Sequence, residues 1–549
     1  MHQYNAWMVG LLLAAACGGD KGDDGGDGDA PADTDVDTDS DGDADGDTDA
    51  DADADTDADT DADTDTDTET GDTGPPIDPW CLADPQVTSL VASGGQTVTN
   101  VQLDVVLDAP APIVTRCVVD SDPTVIFFKE SEEELDTHTI RMSGLLPNET
   151  YTCTAAPVCP GRAAGPAEVS HTVGVPPSDM RRLDVVIDKK LGMTGAWTMA
   201  PFTLNAFGGT SWIVVWDNEG RVRWYHRLPS GVTIDYEALY DVDLDEVVWG
   251  GGEVAEGHLR IVDLWNEELF AYEPVGWQSI RYHHDAKRLD DGRLATLEWR
   301  DNTSGSDTWD GYAIQVFDQA TGIIELEINS QRYYDEGVLP PASSFFDNDP
   351  YHANWMDLKD DGAGGTTLYI SHCFDESIMA LDGVTGDLEW ILGAGRGWTV
   401  LDAAGKMLPQ TALPQCQHGL EVLAPNHLLV YDNGTGRGQS IASEWVVDPT
   451  LMTAQQLWSW TEPGWNEPAL GDIDLLDGDR VLLTMATFFG SNEIVEVDRA
   501  SGLVAARQTL TGGITYRSER YDGCDLFDDT TVCDTLADRH DEVVDLLTP

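Results

Sequence analysis

Three histidines recur at nearly equal intervals in this chain: His284 in Tyr-His-His-Asp, His352 in Asp-Pro-Tyr-His-Ala-Asn and His418 in Gln-Cys-Gln-His-Gly, 68 and 66 residues apart. In a chain of repeated units, equivalent positions on successive units point at one axis, so the spacing predicts three imidazoles converging on one pocket. His283 stands beside His284 and is an equal candidate to face it. Convergent imidazoles support two kinds of chemistry. A neutral ring is a nucleophile or a general acid or base with no cofactor. Three rings with a carboxylate or thiolate hold iron, copper or zinc. A lone His is more often a hydrogen-bonded core residue, so the functional reading rests on the three together.

The elements that must position these rings are strands and tight hairpins. From about residue 183 onward, strands end at Asp and turn through Gly four residues later: Asp318 to Gly322, Asp382 to Gly386 and Asp498 to Gly502, with Trp216-Asp-Asn-Glu-Gly220 a shorter version. Glycine there supplies the positive φ of a tight turn. Leu289-Asp-Asp-Gly-Arg-Leu294, Leu358-Lys-Asp-Asp-Gly362 and Leu475-Leu-Asp-Gly-Asp-Arg-Val481 form a second recurring hairpin. Repeated hairpins without a helical period predict a β-propeller over residues 181–520. Residues 79–180 alternate in the β manner, in Val101–Leu107, Pro112–Val119 and Leu146–Cys153. Leu146-Pro-Asn-Glu-Thr-Tyr151 resembles the end of a fibronectin type III/Ig-like sandwich. Residues 521–549, acidic and carrying two cysteines, read as a disulfide-clipped surface extension.

The N-terminal residues speak to compartment. Val9-Gly-Leu-Leu-Leu-Ala-Ala-Ala16 is an apolar run of signal-peptide length ending in small residues before Cys17, which predicts a signal peptide over 1–17 and a lipid anchor on Cys17. The expected location is the cell envelope outside the cytoplasm, on a periplasmic or surface face of a membrane. Residues 18–78 follow as an acidic tether: Asp20 to Asp72 holds 25 acids against one Lys, which cannot offset its ordering entropy and stays extended, reaching at most about 180 Å. Asp37-Thr-Asp-Ser-Asp-Gly42 copies the start of an EF-hand loop, but its twelfth position is Thr48 where a bidentate Glu is needed. The remaining surface shares in a net charge of −72, which argues against nucleic acid as a partner. With Cys17 lipidated, eight cysteines remain. An even number in an oxidising compartment predicts disulfides within 81–159, a Cys524–Cys533 clip, and Cys373 with Cys416 as a further possible pair.

Taken in order, His283-His284-Asp285, Asp349-Pro-Tyr-His-Ala-Asn354, Ser377–Trp390, Gln417-His418, Tyr431-Asp-Asn-Gly434 and Ser443–Asp448 resemble the PAPS-independent arylsulfotransferases. That family joins a small β-sandwich to a six-bladed β-propeller, so the resemblance implies an all-β chain of that plan. It implies that a histidine, here His418, takes a sulfuryl group from a phenolic sulfate donor as a sulfohistidine and passes it to a phenol acceptor, with no cofactor and no metal. His284 and His352 then stabilise the transferred oxygens or serve the bridging phenolic oxygen, with His283 and Asp285 beside them and Asn354 at the substrate. The family carries an arginine in a Ser-Arg-His stretch where this chain reads Ser371-His-Cys-Phe374. His372, Arg396 and Arg437 are the candidate substitutes. Tyr351, Trp355, Trp398, Phe488 and Phe489 are aromatics that would floor a phenol site or pack as core. Two other readings stand beside transfer: a metal-dependent propeller enzyme on the convergent histidines, and a surface-tethered binding protein that has lost the reaction.

Overall fold

The computed structural model describes residues 78–159, 165–204, 210–229, 238–253, 256–272, 282–289, 291–340, 349–360, 362, 364–487 and 492–548. Cys17, the acidic tether with its EF-hand-like start, Phe488 and Phe489 lie outside them.

Nearly every described element is a strand. The first five, Val87–Gly94, Val101–Val119, Ile126–Met142, Thr150–Pro157 and Ala167–Thr172, form one antiparallel sheet in the order first, second, fourth, fifth, with the third paired to the second. Sequence patterning read Val101–Leu107 and Pro112–Val119 as two strands; they are one strand of 19 residues. Its register against Ile126–Met142 shifts between Val106 and Ile113, so Pro110 and Pro112, which lack an N–H to donate, sit where the ladder is interrupted. The Leu146 amide donates to the Tyr151 hydroxyl at 2.7 Å, pinning the turn into Thr150–Pro157.

Six further sheets follow among the described residues. The second, third and fourth of these are four consecutive antiparallel strands. The first takes one edge strand, Glu519–Tyr521, from late in the chain, paired to Trp197–Thr203. The sixth takes one edge strand, Asp184–Lys189, from ahead of the first of the six, paired to Val504–Thr511. The fifth, Gly419–Trp460, gains the short parallel strand Thr399–Leu401. The recurring turns have local causes: the amides of Gly322, Gly386 and Gly502 each donate to the Asp carbonyl four residues back at 2.8 Å, with φ of +66 to +68° at the glycine. In each the Asp carboxylate accepts the amide of the third residue, so the Asp closes the turn that Gly permits.

The apolar core runs without a break from the N-terminal sheet, through Val101, Leu103 and Tyr151, into Trp197, Trp224 and Trp249 of the first two of the six sheets. The C-terminal residues belong to it. The Phe128 amide donates to Asp528 O at 2.9 Å, Phe527 packs under Gly144, where a Cβ would lie 2.4 Å from its ring, and Val543 and Leu547 cover Val114, Phe128 and Ala156. The segment read as a surface extension is therefore packed structure. The buried Arg223 joins all three regions, donating to Gly144 O at 2.6 Å, Asp217 at 3.1 Å and Asp529 at 2.6 Å.

Eight cysteines pair as Cys81–Cys159, Cys117–Cys153, Cys373–Cys416 and Cys524–Cys533.

Candidate active site

His284 lies in the first strand of the third of the six sheets, Tyr282–Arg288. His352 and His418 immediately precede the first strands of the fourth and fifth, Ala353–Asp360 and Gly419–Ala424. Their near-equal spacing thus reflects equivalent entry points into successive sheets. These entries depart from ordinary backbone: His284, His352 and Cys416 have φ of +68, +49 and +51°, a region that costs a non-glycine residue free energy and clusters at functional sites. Consecutive residues of a regular strand face opposite ways. Here the register breaks between Tyr282 and Ala286, and both neighbouring imidazoles join one cluster, their ring centroids 4.2 Å apart.

The rings converge. His284 Nε2 is 3.2 Å from His352 Nε2. The His283 ring lies 3.7 Å from Trp299 and 5.0 Å from His352, and the His418 ring 6.4 Å from that of His352. Phe374 stacks on His352 at 4.6 Å. Tyr516 stands 5.8 Å from His284 and 6.4 Å from His418. Solvent reaches the cluster at Asp349 and His352, whose side chains are 14 and 17% exposed.

The proton positions follow from the partners. His352 Nδ1 donates to the Asp349 carboxylate, which also accepts the His352 amide at 2.9 Å, so the Nε2 edge of this ring is turned to the cluster. The Asn433 amide nitrogen donates to two carbonyls, Glu467 O and Leu470 O, each at 2.8 Å. Its Oδ1 is therefore the atom that faces His418 Nδ1 at 2.9 Å and can only accept. Cys416 O, at 3.2 Å from the same nitrogen, is also an acceptor. His418 thus carries its proton on Nδ1 and a lone pair on Nε2. Burial holds His418 down at about 3, helped by the neighbouring His352. Burial, then His283, His352, His418 and Arg517, hold His284 well below the usual histidine range. Both rings are neutral at pH 7.

Arg517, 1% exposed, enters from the segment before the edge strand Glu519–Tyr521 of the first sheet. It donates to Asn354 O at 2.7 Å and to Asp285 at 3.3 Å. Asp285 also accepts the Met356 amide at 2.8 Å and lies 3.7 Å from Lys287. Asp349 accepts from an imidazole of the cluster, that of His352. Asn354 is fully buried, its amide donating to Gln417 O at 2.8 Å.

The other expected substrate-binding residues are not brought to the cluster. His372 is buried between Tyr312 and Tyr351, 5.2 and 6.2 Å from their rings, and burial with Arg396 lowers it to about 3. Arg396 is paired with Asp375 at 2.7 Å and donates to Val338 O. Arg437 is paired with Asp432 and donates to Thr411 O and Leu413 O. Cys373, in the Ser371–Phe374 stretch that departs from the family pattern, is tied to Cys416, and its amide donates to His352 O at 3.1 Å. Tyr351, Trp355 and Trp398 are core. Asp349 and Asn433 stood within the segments that carried the resemblance; Trp299, Phe374, Tyr516 and Arg517 had no such signal. A Tyr-Arg pair ahead of the strand that closes the first sheet is visible in sequence only once that closure is known.

Among solved structures the chain is similar to TolB from Acinetobacter baumannii (9% identity over 69% of this chain and 80% of that one, TM-score 0.33). It is also similar to the periplasmic gluconolactonase PpgL of Pseudomonas aeruginosa (11%, 75% and 97%, 0.30) and to hydrazine synthase of Kuenenia stuttgartiensis (9%, 73% and 96%, 0.28). At those scores the likenesses carry no argument. No curated protein matches. The model of one family, Arylsulfotransferase (ASST), matches residues 198–517, more than half of the chain and the span that holds all four cluster histidines and Arg517, and the chain belongs to that family.

Proposed function

We propose that this protein is an aryl-sulfate sulfotransferase that moves a sulfuryl group from a phenolic sulfate to a phenol through a sulfohistidine at His418. The observation that carries the reading is the pinned tautomer of His418: Asn433 leaves its Nε2 lone pair as the one nucleophilic edge of a ring kept neutral by burial. In the first half-reaction Nε2 attacks sulfur, the N–S bond forms, and the sulfur–oxygen bond to the aryl group breaks with its electron pair on the phenolic oxygen. In the second, the acceptor oxygen attacks sulfur, the N–S electrons return to Nε2, and the phenolic proton passes to a neighbouring imidazole. His284 and His352 are the candidates for that exchange and for contact with the transferred oxygens, with His283 beside them and Asn354 on the substrate side.

The cation that the family places in the Ser371–Phe374 stretch is supplied in this reading by Arg517. It is the guanidinium whose field reaches both His284 and His418, in a buried setting where a fixed charge acts most strongly on developing anionic oxygens. The six sheets are the blades of a six-bladed propeller over 181–520, which closes on itself through Glu519–Tyr521, and the 79–180 domain, with its long strands Val101–Val119 and Ile126–Met142 folding one sheet over, takes the place of the fibronectin type III/Ig-like sandwich. Cys17 carries the lipid that holds the protein in the cell envelope, and the pairing of the other eight cysteines supports an oxidising compartment.

The test is transfer from 4-nitrophenyl sulfate to phenol, with and without EDTA, by wild type and His418→Ala. Phenol-dependent nitrophenol release that survives EDTA and vanishes in the variant is expected. A folded wild type without turnover would overturn the reading for this donor and favour the binding protein, which the departure at Ser371–Phe374 otherwise supports.

A further inference from the structure

We infer that His283, His284 and His352 form a site for a single Zn²⁺-class transition-metal ion, with Asp349 as the outer carboxylate. One ring nitrogen from each of the three lies within 4.8 Å of the others. Two nitrogens bound to one zinc at the tetrahedral angle stand about 3.3 Å apart. His284 Nε2 and His352 Nε2, at 3.2 Å, are already at that separation. His283 closes the remaining distance by turning its ring from Trp299.

The outer groups fit the same ion. The Asp349 carboxylate takes the Nδ1 proton of His352, which leaves Nε2 as the ligand, the tautomer that metal-binding histidines receive from a carboxylate neighbour. The same carboxylate is 3.9 Å from His283 Nε2. His284 Nδ1 is buried with no hydrogen-bond partner, so its proton moves there from Nε2 when the metal takes Nε2, and none is lost. The left-handed backbone at His284 and His352 is what turns three rings from two adjacent sheets onto one point. Cys373 and Cys416 are bonded to each other and contribute no thiolate. Three neutral imidazoles select zinc, cobalt, nickel or copper over calcium or magnesium, and leave a fourth position open. The metal occupies Nε2 of His284 and His352, so it excludes the sulfuryl group that the proposed transfer sets there. This last step rests on the transferase reading; the site itself does not.

The experiment titrates the full chain, stripped with chelator, with Co²⁺ and follows visible absorption. Oxygen ligands of the acidic tether give weak six-coordinate bands, whereas a three-histidine site gives intense four-coordinate ones. Expected are intense bands saturating at one equivalent, displaced by Zn²⁺, absent in His283→Ala, and requiring about 10–100-fold more metal in Asp349→Asn. His283→Cys, which restores a ligand, recovers the bands and adds a sulfur-to-cobalt charge-transfer band in the near ultraviolet; that recovery separates a lost ligand from a lost fold. Weak bands alone, or intense bands that persist in His283→Ala, would overturn the site. Zn²⁺ inhibition of sulfuryl transfer, reversed by chelator, is expected in the active enzyme, and undiminished transfer by the Zn²⁺-loaded protein would overturn the exclusion. If the wild type shows no transfer, the cobalt spectrum still decides the site.

Discussion

Asn433 and His418 are joined by a hydrogen bond whose direction is fixed from outside the pair. The Asn433 amide nitrogen is used on Glu467 O and Leu470 O, so Oδ1 meets His418 Nδ1 at 2.9 Å as an acceptor. Asn433→Ala removes the preference for the Nδ1 proton and leaves two buried carbonyls without their donor. The expected result is a fall in kcat on the order of 10²-fold with KM for the sulfate donor little changed, measured by steady-state kinetics. An unchanged kcat would show that the tautomer is held by Cys416 O alone.

The pH profile carries a second expectation. A histidine in water gains its proton near 6.5, whereas His418 is lowered by burial to about 3. Its lone pair therefore persists as pH falls from 7 through 6.5 and is lost only toward 3. The rate of sulfohistidine formation holds across pH 5–7 in single-turnover experiments. A sigmoidal loss centred near 6.5 would mean that the nucleophile is hydrated like a surface histidine.

Arg517 has two roles that substitution can separate. Arg517→Met removes the proposed transition-state cation, lowering kcat/KM by on the order of 10²–10³-fold. It also strips Asp285 of a buried partner, destabilising the fold by about 3–5 kcal/mol. Adding Asp285→Asn together with Lys287→Met removes the stranded carboxylate and the ammonium 3.7 Å from it, so chemical denaturation regains most of the lost stability while kinetics do not recover. Recovery of both would make Arg517 a structural residue only.

Arg223 gives a prediction independent of function. Its guanidinium is 2% exposed between Asp217 and Asp529 and lies 4.9 Å from the Trp197 ring. Arg223→Met leaves two carboxylates buried without it, and guanidinium unfolding is expected to show a loss of about 3–5 kcal/mol. A loss below 1 kcal/mol would mean that water reaches Asp529 once the side chain is gone.

What was legible in the sequence follows the range of the interactions. The Asp-to-Gly turns were readable because an Asp carboxylate and a positive-φ glycine act within five residues. The histidine spacing was readable because each histidine opens a similar four-stranded unit. Arg517 was not, since the residues it binds, Asp285 and Asn354, stand 232 and 163 positions earlier. The strand Val101–Val119 was split in reading because Pro110 and Pro112 look like breakers, and only the register shift shows how the sheet admits them. The C-terminal segment was misread for its acidity: Leu536, His540, Val543 and Leu547 do recur at helical spacing, but the carboxylates between them mask that short face, and its partners Val114, Phe128 and Ala156 lie hundreds of residues earlier.

The pairing of Glu519–Tyr521 with Trp197–Thr203 is what seats Tyr516 and Arg517 beside the histidines. The histidines are all synthesised by residue 418, yet the Tyr516–Arg517 wall arrives with the last strand. A polypeptide that ends before Tyr516 holds the four cluster imidazoles but lacks the Arg517 contacts to Asp285 and Asn354. The wall is therefore shared between distant stretches: Trp197–Thr203 receives the strand that follows Tyr516 and Arg517, and the histidines between them meet that wall from the other side.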